Sequence, residues 1–217
     1  MVARRRGTIV RRRSATITHV QMVNHQQNLP AFEKSISYKA NRIGIADRYT
    51  EGSLRTMVQL DVNLIDFYDE QIKRLDLYLE QNARLDDPDT FFRLQSIPGI
   101  GRILAMTMLY EIHDIRRFPT VGQFLSYSRL VKGTNESGGK QYKASGKKIG
   151  NPHLKWAFSE AITQLKRECP QAKAYAARIE KKHNKARANT LLAIKLGRSV
   201  YRMWKRKSAF DPNRMFR

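Results

Sequence analysis

Leu54, Val58, Asp61, Ile65, Tyr68, Ile72, Leu75 and Leu79 recur at steps of four, three, four, three, four, three and four. A mostly apolar stripe with that spacing lies along one side of a continuous α-helix and would be scattered over both faces of a strand. The stretch 53–86 is therefore read as one helix, and its coiled-coil seam from Leu54 to Leu79 is ~39 Å long at ~1.5 Å per residue. Ser53 is a plausible N-cap. Asp61 interrupts the seam, and a lone polar residue there sets register or partner number. Two arrangements fit the stripe. It can pair with a second copy of the chain, which makes these eight residues the candidate oligomerisation surface, or it can pair with a helix before or after it in the same chain.

The remaining pattern is helical too. Thr8 to about Asn28 reads as a basic helix with Ile9, Ile17 and Val20 on one side, ended by Leu29-Pro30. Residues 31–52 have no firm period and read as an irregular connection. After a loop at Asp86-Asp87-Pro88-Asp89, Phe91, Phe92 and Leu94 lead into Ile97-Pro98-Gly99-Ile100-Gly101 and an apolar helix through Leu109. Another helix starts near Thr120. Asn151-Pro152 opens the next, with Asn as cap and Pro at the first position. Leu154, Phe158, Ala161, Ile162 and Leu165 line its inner face, and Trp156 is read as core. Pro170 opens a further helix. A last one, from Ala188 to Lys207, carries Leu192, Leu196, Val200 and Met203 on one side. No strand pair stands out. The fold class is mainly α: a basic helix and irregular connection over 1–52, a coiled-coil helix over 53–86, and a compact helical domain over 87–217 that contains a helix-hairpin-helix-like motif.

Charge narrows the function. The chain of 217 residues carries a formal net charge of +22, which suits nucleic acid or an anionic surface. No apolar run approaches the ~20 residues needed to span a bilayer, so no membrane partner is expected. The single cysteine, Cys169, excludes an internal disulfide and points to a cytosolic protein, and a partner of DNA there is expected to be nucleoid-associated. The five histidines are scattered, so no structural zinc site is expected. Acids outnumber bases between Glu51 and Asp89, and the balance reverses after Arg129. One segment is thus suited to protein and the other to phosphate.

Two places are suited to phosphate. In Pro98-Gly99-Ile100-Gly101, the glycines let the backbone approach an anion, and a helix start offers N–H groups; a tight turn between packed helices is the other reading. The basic segment is richer: Arg129, Lys132, Lys140, Lys143, Lys147, Lys148 and Lys155, with Glu136 the only acid and Tyr127, Tyr142 and Trp156 interleaved. Asn151 lies at its end. Within it, Asn135-Glu136-Ser137-Gly138-Gly139-Lys140 places a hydroxyl among cations and glycines, as attack on a phosphodiester requires. A contact loop without chemistry fits the same residues.

Several blocks, in order, carry a resemblance: Ile97-Pro98-Gly99-Ile100-Gly101, Tyr110-Glu111-Ile112, Arg117-Phe118-Pro119, Phe124-Leu125-Ser126-Tyr127, Arg129-Leu130-Val131, Ser137-Gly138 and Lys148-Ile149-Gly150-Asn151-Pro152-His153-Leu154-Lys155-Trp156-Ala157. From Leu94 onward the chain resembles the C-terminal transposase domain of the IS116/IS110/IS902 family of insertion sequences, and the Asn28-Leu29-Pro30 segment and coiled coil are similar to that family's middle region. The resemblance implies a DNA recombinase guided by an element-encoded RNA, with Ser137 as the serine that forms a covalent phosphoserine intermediate. Ser145 also precedes a glycine but fits the family pattern less well.

The family pairs this domain with an N-terminal RuvC-like domain whose four acids bind Mg²⁺. No counterpart of it stands before Arg4, and Asp47, Asp61 and Asp66 do not replace its acids, so no Mg²⁺ site is assigned within this chain. The expectation is a truncated or split transposase that binds DNA or RNA but does not recombine DNA alone. The alternative is a non-enzymatic nucleic-acid-binding module.

Overall fold

The computed structural model describes residues 1–131, 134–137, 140–143 and 149–216, the two short middle stretches as backbone. The fold is mainly α, and the chain divides into two compact units, Met1–Leu79 and Glu80–Arg217.

The first unit is a helical hairpin. Helix α1 (Val2–Gln26) begins before the expected Thr8, because Arg4, Arg5 and Arg6 are good helix formers. It ends where Asn28 takes the left-handed conformation, φ 51°, while Leu29 N–H donates to Asn24 O. That pattern closes a helix by returning an amide to an otherwise unpaired carbonyl. Helix α2 (Gly52–Asp86) holds the heptad stripe and starts one residue before the expected cap, Ser53. Within this unit, Arg6 Nε donates to Asp76 Oδ1 at 2.7 Å, Arg13 pairs with Asp69, and His19 Nδ1 lies 2.6 Å from Asp61 Oδ2. As the number rises on α1 it falls on α2, so the two helices are antiparallel. Asp61, the polar break in the seam, is thereby tied to α1.

The heptad stripe therefore faces a helix of its own chain. Val58 and Ile65 are fully buried, Leu54 packs at the edge of their cluster, Leu79 is buried, and Asp61, Tyr68, Ile72 and Leu75 are half-buried. Of the two arrangements open to the seam, the chain uses the internal one. The aperiodic connection supplies the rest of the core. Ile36, Ile45, Ala46 and Tyr49 join Ile17, Val20, Val23, Val58 and Ile65. Two short 3₁₀ turns, Lys39–Arg42 and Ile45–Arg48, shape it. Arg42 is buried and donates to Asp66, to Asp69 and to the carbonyls of Ile36 and Ser37. One planar cation with five donors satisfies two carboxylates and a turn at once.

The second unit stacks helices around an aromatic core. Helix α3 (Pro88–Gln95) is capped by Asp87, whose carboxylate accepts from Thr90 N at 3.0 Å. A turn through Gly99 leads to α4 (Arg102–Ile112). Thr120 and Gln123 form a reciprocal capping box for α5 (Val121–Tyr127). Two strands follow, β1 (Thr134–Ser137) and β2 (Lys140–Lys143). They pair antiparallel with Thr134 opposite Lys143 and Ser137 opposite Lys140. The expectation of no strand pair is thus corrected. Both strands are polar on both faces, so they lack the alternation that marks a half-buried strand. The signal was Gly138-Gly139 between two four-residue segments, a pair suited to hairpin turns.

Helix α6 (Pro152–Glu168) then crosses the unit. Its expected inner residues Leu154, Phe158, Ala161, Ile162 and Leu165 are all buried. Helix α7 (Pro170–Lys182) and helix α8 (Lys185–Arg206) pack beside it, and a short α9 (Pro212–Phe216) follows. Leu192, Leu196, Val200 and Met203 are buried along α8 as expected. Phe124 is the aromatic centre, with ring centroids 5.4 Å from Phe118, 6.2 Å from Phe158 and 5.7 Å from Tyr201. The hydroxyl of Tyr201 donates toward the carbonyls of Phe118 and Pro119 at 2.9 and 3.1 Å, which ties α8 to the chain just before α5. No described helix is long and apolar enough to cross a membrane.

Candidate nucleic-acid interface

The basic segment leaves α5 and returns to α6 at one point. At the exit, Arg129 has φ 53°, Arg129 N donates to Ser126 O and Leu130 N donates to Leu125 O. This is the double amide closure that usually carries glycine at its left-handed position. A side chain there costs about 1–2 kcal/mol. Arg129 repays that cost with its guanidinium: Nε donates to Ile149 O at 2.8 Å, across a separation of 20 residues. At the return, Gly150 has φ 87°, and a Cβ there would lie 2.7 Å from Tyr127 O and 3.1 Å from Ser126 O. Asn151 N then donates to Tyr127 O at 2.6 Å. Both ends of the segment are held against the last turn of α5.

Asn151 locks this clamp. Its Oδ1 accepts from His153 N at 2.9 Å and Leu154 N at 3.1 Å, which caps α6. Its Nδ2 donates to the Glu111 carboxylate of α4 at 2.5 Å and lies 3.4 Å from the Tyr127 hydroxyl. Asn151 and Glu111 are both buried. Asn151 was expected to touch nucleic acid; its amide is instead fully committed inward, and its contribution is to place the segment. Only the long-range partner, Glu111, was invisible to sequence reasoning, because nothing local links α4 to the start of α6.

Two side chains at the clamp face outward. Lys155 is exposed, and Trp156 retains 44% of its surface, so the expectation that Trp156 is core is corrected. Ile149 beside them is 68% exposed. Tyr127 turns the other way. Its ring is 5.1 Å from Phe118 and lies under the Arg117 guanidinium at 4.6 Å, so it stacks within the protein.

Ser137 is the last residue of β1 and pairs with Lys140 of β2. Lys140 and Lys143 bound β2, and for these three residues the description ends at the backbone. Lys132, Ser145, Lys147 and Lys148 lie outside the described residues, and so does the side chain of Tyr142.

The hairpin between α3 and α4 faces two ways. Gly99, φ 87°, is pressed onto α6: a Cβ there would lie 2.6 Å from Ala161 O and from Leu165 N. Its N–H donates to Glu168 Oε2 at 3.2 Å, so the amide suited to a phosphate already holds a carboxylate. Gly99 thus serves as a tight turn between packed helices. Gly101 is exposed with open space where a Cβ would stand, and Pro98 is half-buried. The hairpin lies against the C-terminal half of α6 and the clamp at its start. At 1.5 Å per residue they are on the order of 20 Å apart along that helix. They are two places on one surface element, not one site.

The acids weighed as metal ligands are engaged elsewhere. Asp47 pairs with Arg55, Asp61 with His19 and Asp66 with Arg42. These carboxylates do not fit a Mg²⁺ site: each already has a side-chain partner of its own, and among the described residues no three His, Cys, Asp or Glu side chains gather around one point.

Residues 92–177 match the model of the Transposase IS116/IS110/IS902 family. The span runs from α3 into α7 and takes in the hairpin, the clamp, the strand pair and Trp156. The chain matches no curated protein. Over residues 92–177 the second unit is thus similar to the transposase domain of the IS116/IS110/IS902 family.

Proposed function

We propose that the basic segment between α5 and α6 binds a DNA phosphate and that Ser137 attacks it. The clamp carries this reading. Arg129, Gly150 and Asn151 hold both ends of a lysine-rich stretch at one point, beside an exposed Trp156 and Lys155. Anchored ends bring the cations of the stretch to one place on the surface, and groups held in place bind at a lower cost. The cations stabilise charge that grows on the phosphate as the nucleophile approaches. Trp156 offers a face on which an unpaired base can stack.

In the proposed step, Ser137 Oγ bonds to phosphorus and the bond from phosphorus to the 3′ oxygen breaks. The serine proton ends on the freed 3′-hydroxyl. The phosphodiester energy is kept in the serine ester, so the reverse attack rejoins the strand. Binding alone needs no metal and should be a property of this chain. Complete recombination, in this reading, also uses the acids of a RuvC-like domain and an element-encoded guide RNA.

A second copy of the chain remains a proposed partner, through a different face from the seam. Leu60, Leu64 and Phe67 of α2 follow one another at steps of four and three and are 60%, 44% and 54% exposed. Light scattering should show self-association of the wild type that Leu64→Glu/Phe67→Glu abolishes.

The chemistry is tested by trapping a protein–DNA adduct on end-containing DNA, with a RuvC-bearing relative and guide RNA supplied. Ser137→Ala should abolish the adduct and Ser145→Ala should keep it. Equal adduct in both variants overturns the assignment. Salt-sensitive binding with no adduct under any condition favours a binding module without chemistry.

A further inference from the structure

Helix α8 contains no acidic residue, yet Arg198, Arg202 and Arg206 follow one another at four-residue steps along one side. Like charges at that spacing repel on a helix. Among the described residues no carboxylate pairs with any of the three. They border two adjoining cavities. One, of about 180 Å³, is lined by Lys195, Arg198, Ser199, Arg202, Arg214 and Met215. The other, of about 240 Å³, is lined by residues that include Ser199, Arg202, Arg206, Asp211 and Arg214. Ser199, Arg202, Arg214 and Met215 are shared, so the two form one cleft between α8 and the segment that ends in α9.

The cleft is shaped by groups already engaged. Lys195 Nζ donates to Met215 O at 2.8 Å and sits 5.3 Å from the Tyr175 ring and 5.6 Å from the Phe216 ring, which fixes α9 against α8. Asp211, the one carboxylate on either lining, accepts from Asn213 N at 2.9 Å and pairs with Arg214 at 3.4 Å. The crowding of cations is felt at Lys195. Burial, and then the positive charges of Arg178, Arg198 and Arg202, hold its ammonium below the usual lysine range.

We propose that this cleft binds two successive phosphates of one DNA strand, with Arg198, Arg202 and Arg214 as donors and Ser199 at the floor. Four residues of helix advance about 6 Å, close to the separation of neighbouring phosphates along a strand, and each guanidinium can grip a phosphate with two parallel N–H groups. The cleft lies beyond residue 177, outside the matched domain, and none of its residues belongs to the basic segment. It extends the DNA-binding reading above but does not depend on Ser137.

The test is the salt dependence of binding to a fluorescent DNA duplex, measured on the full chain. Each phosphate released lowers the log–log slope by about 0.9 on duplex DNA. Arg198→Ala/Arg202→Ala should reduce the slope by about 1.8 and weaken binding about tenfold or more. Lys185→Ala/Arg187→Ala, on the same helix but outside the cleft, should change both less. Circular dichroism of each variant checks that α8 is intact, and Ser199→Trp, which fills the cleft without removing charge, should also weaken binding. Equal losses for the two double variants, or an unchanged slope in Arg198→Ala/Arg202→Ala, overturns the cleft. A loss seen with RNA of the same length and absent with DNA overturns its assignment to DNA. If the wild type itself shows no salt-sensitive binding to DNA, the broader reading fails instead.

Discussion

In the first unit, the arginines that matter most meet acids of the same unit: Arg6 with Asp76, Arg13 with Asp69, Arg42 with Asp66 and Asp69. In the second, 28 lysines and arginines stand against 11 acids, and long runs such as Arg198, Arg202 and Arg206 have no described acidic partner. The first unit uses charge to fix its own fold; the second folds on apolar and aromatic packing and leaves charge at its surface. Surface cations contribute little to stability, so those of the second unit can be removed without unfolding it. Arg42 cannot.

Arg42→Ala should break that contrast most sharply. It is 2% exposed, and its loss takes the donor from Asp66 and from the Ile36 carbonyl, while Asp69 and the Ser37 carbonyl keep only Arg13. Removing one member of a buried pair costs roughly 3–5 kcal/mol. Asp66 and Asp69 are about a third exposed and regain some water, so about 3 kcal/mol is expected from urea unfolding, with DNA affinity per folded molecule unchanged. Asn151→Ala is next. It removes the α6 cap, worth about 1–2 kcal/mol, and also takes one donor from the buried Glu111 carboxylate. A loss of about 2 kcal/mol is expected, with weaker DNA binding because the clamp opens. Asn151→Asp should be worse than Asn151→Ser, since it sets a second carboxylate against Glu111.

Trp156→Ala separates binding from folding. With nearly half its surface open, it should cost little stability, while binding to single-stranded DNA falls by about 1–3 kcal/mol if one base stacks there. Glu80→Gln is the smallest effect. The Arg84 hydrogen bond, and then Arg102, hold the Glu80 carboxyl below its ordinary value, with burial opposing them. A depressed acid stabilises above its unfolded pKa and loses that contribution as pH falls through the folded one. Both arginines are more than half exposed, so the difference between wild type and Glu80→Gln should be about 0.5 kcal/mol at neutral pH and vanish in acid.

Much of the fold was legible because single periods encode it. The steps of four and three over Leu54–Leu79 marked α2, the stripes Leu154–Leu165 and Leu192–Met203 marked α6 and α8, and Thr120 and Asn151 marked two helix starts. What covers the α2 stripe was not legible, since an antiparallel neighbour and a second copy require the same spacing. Arg42 was silent in sequence because its partners lie 24 and 27 residues away, with no local pattern between. Trp156 was misjudged, although two helical residues beyond Leu154 place it about 200° round from the buried stripe. Gly99 showed that it fills a tight place, and only the packing revealed that the neighbour is α6. The candidate serine was read from the family pattern, and its side chain lies outside the described residues.

The contrast between the units is tested most directly by the salt slope of DNA binding in two charge-removed proteins. Lys140→Ala/Lys143→Ala/Lys147→Ala/Lys148→Ala in the second unit should lower the slope by about 3–4, at about 0.9 per phosphate lost, with little change in stability. Arg6→Ala/Arg13→Ala in the first unit should reduce stability and leave the slope of the folded protein unchanged. A slope lost in the second variant and kept in the first would contradict the account.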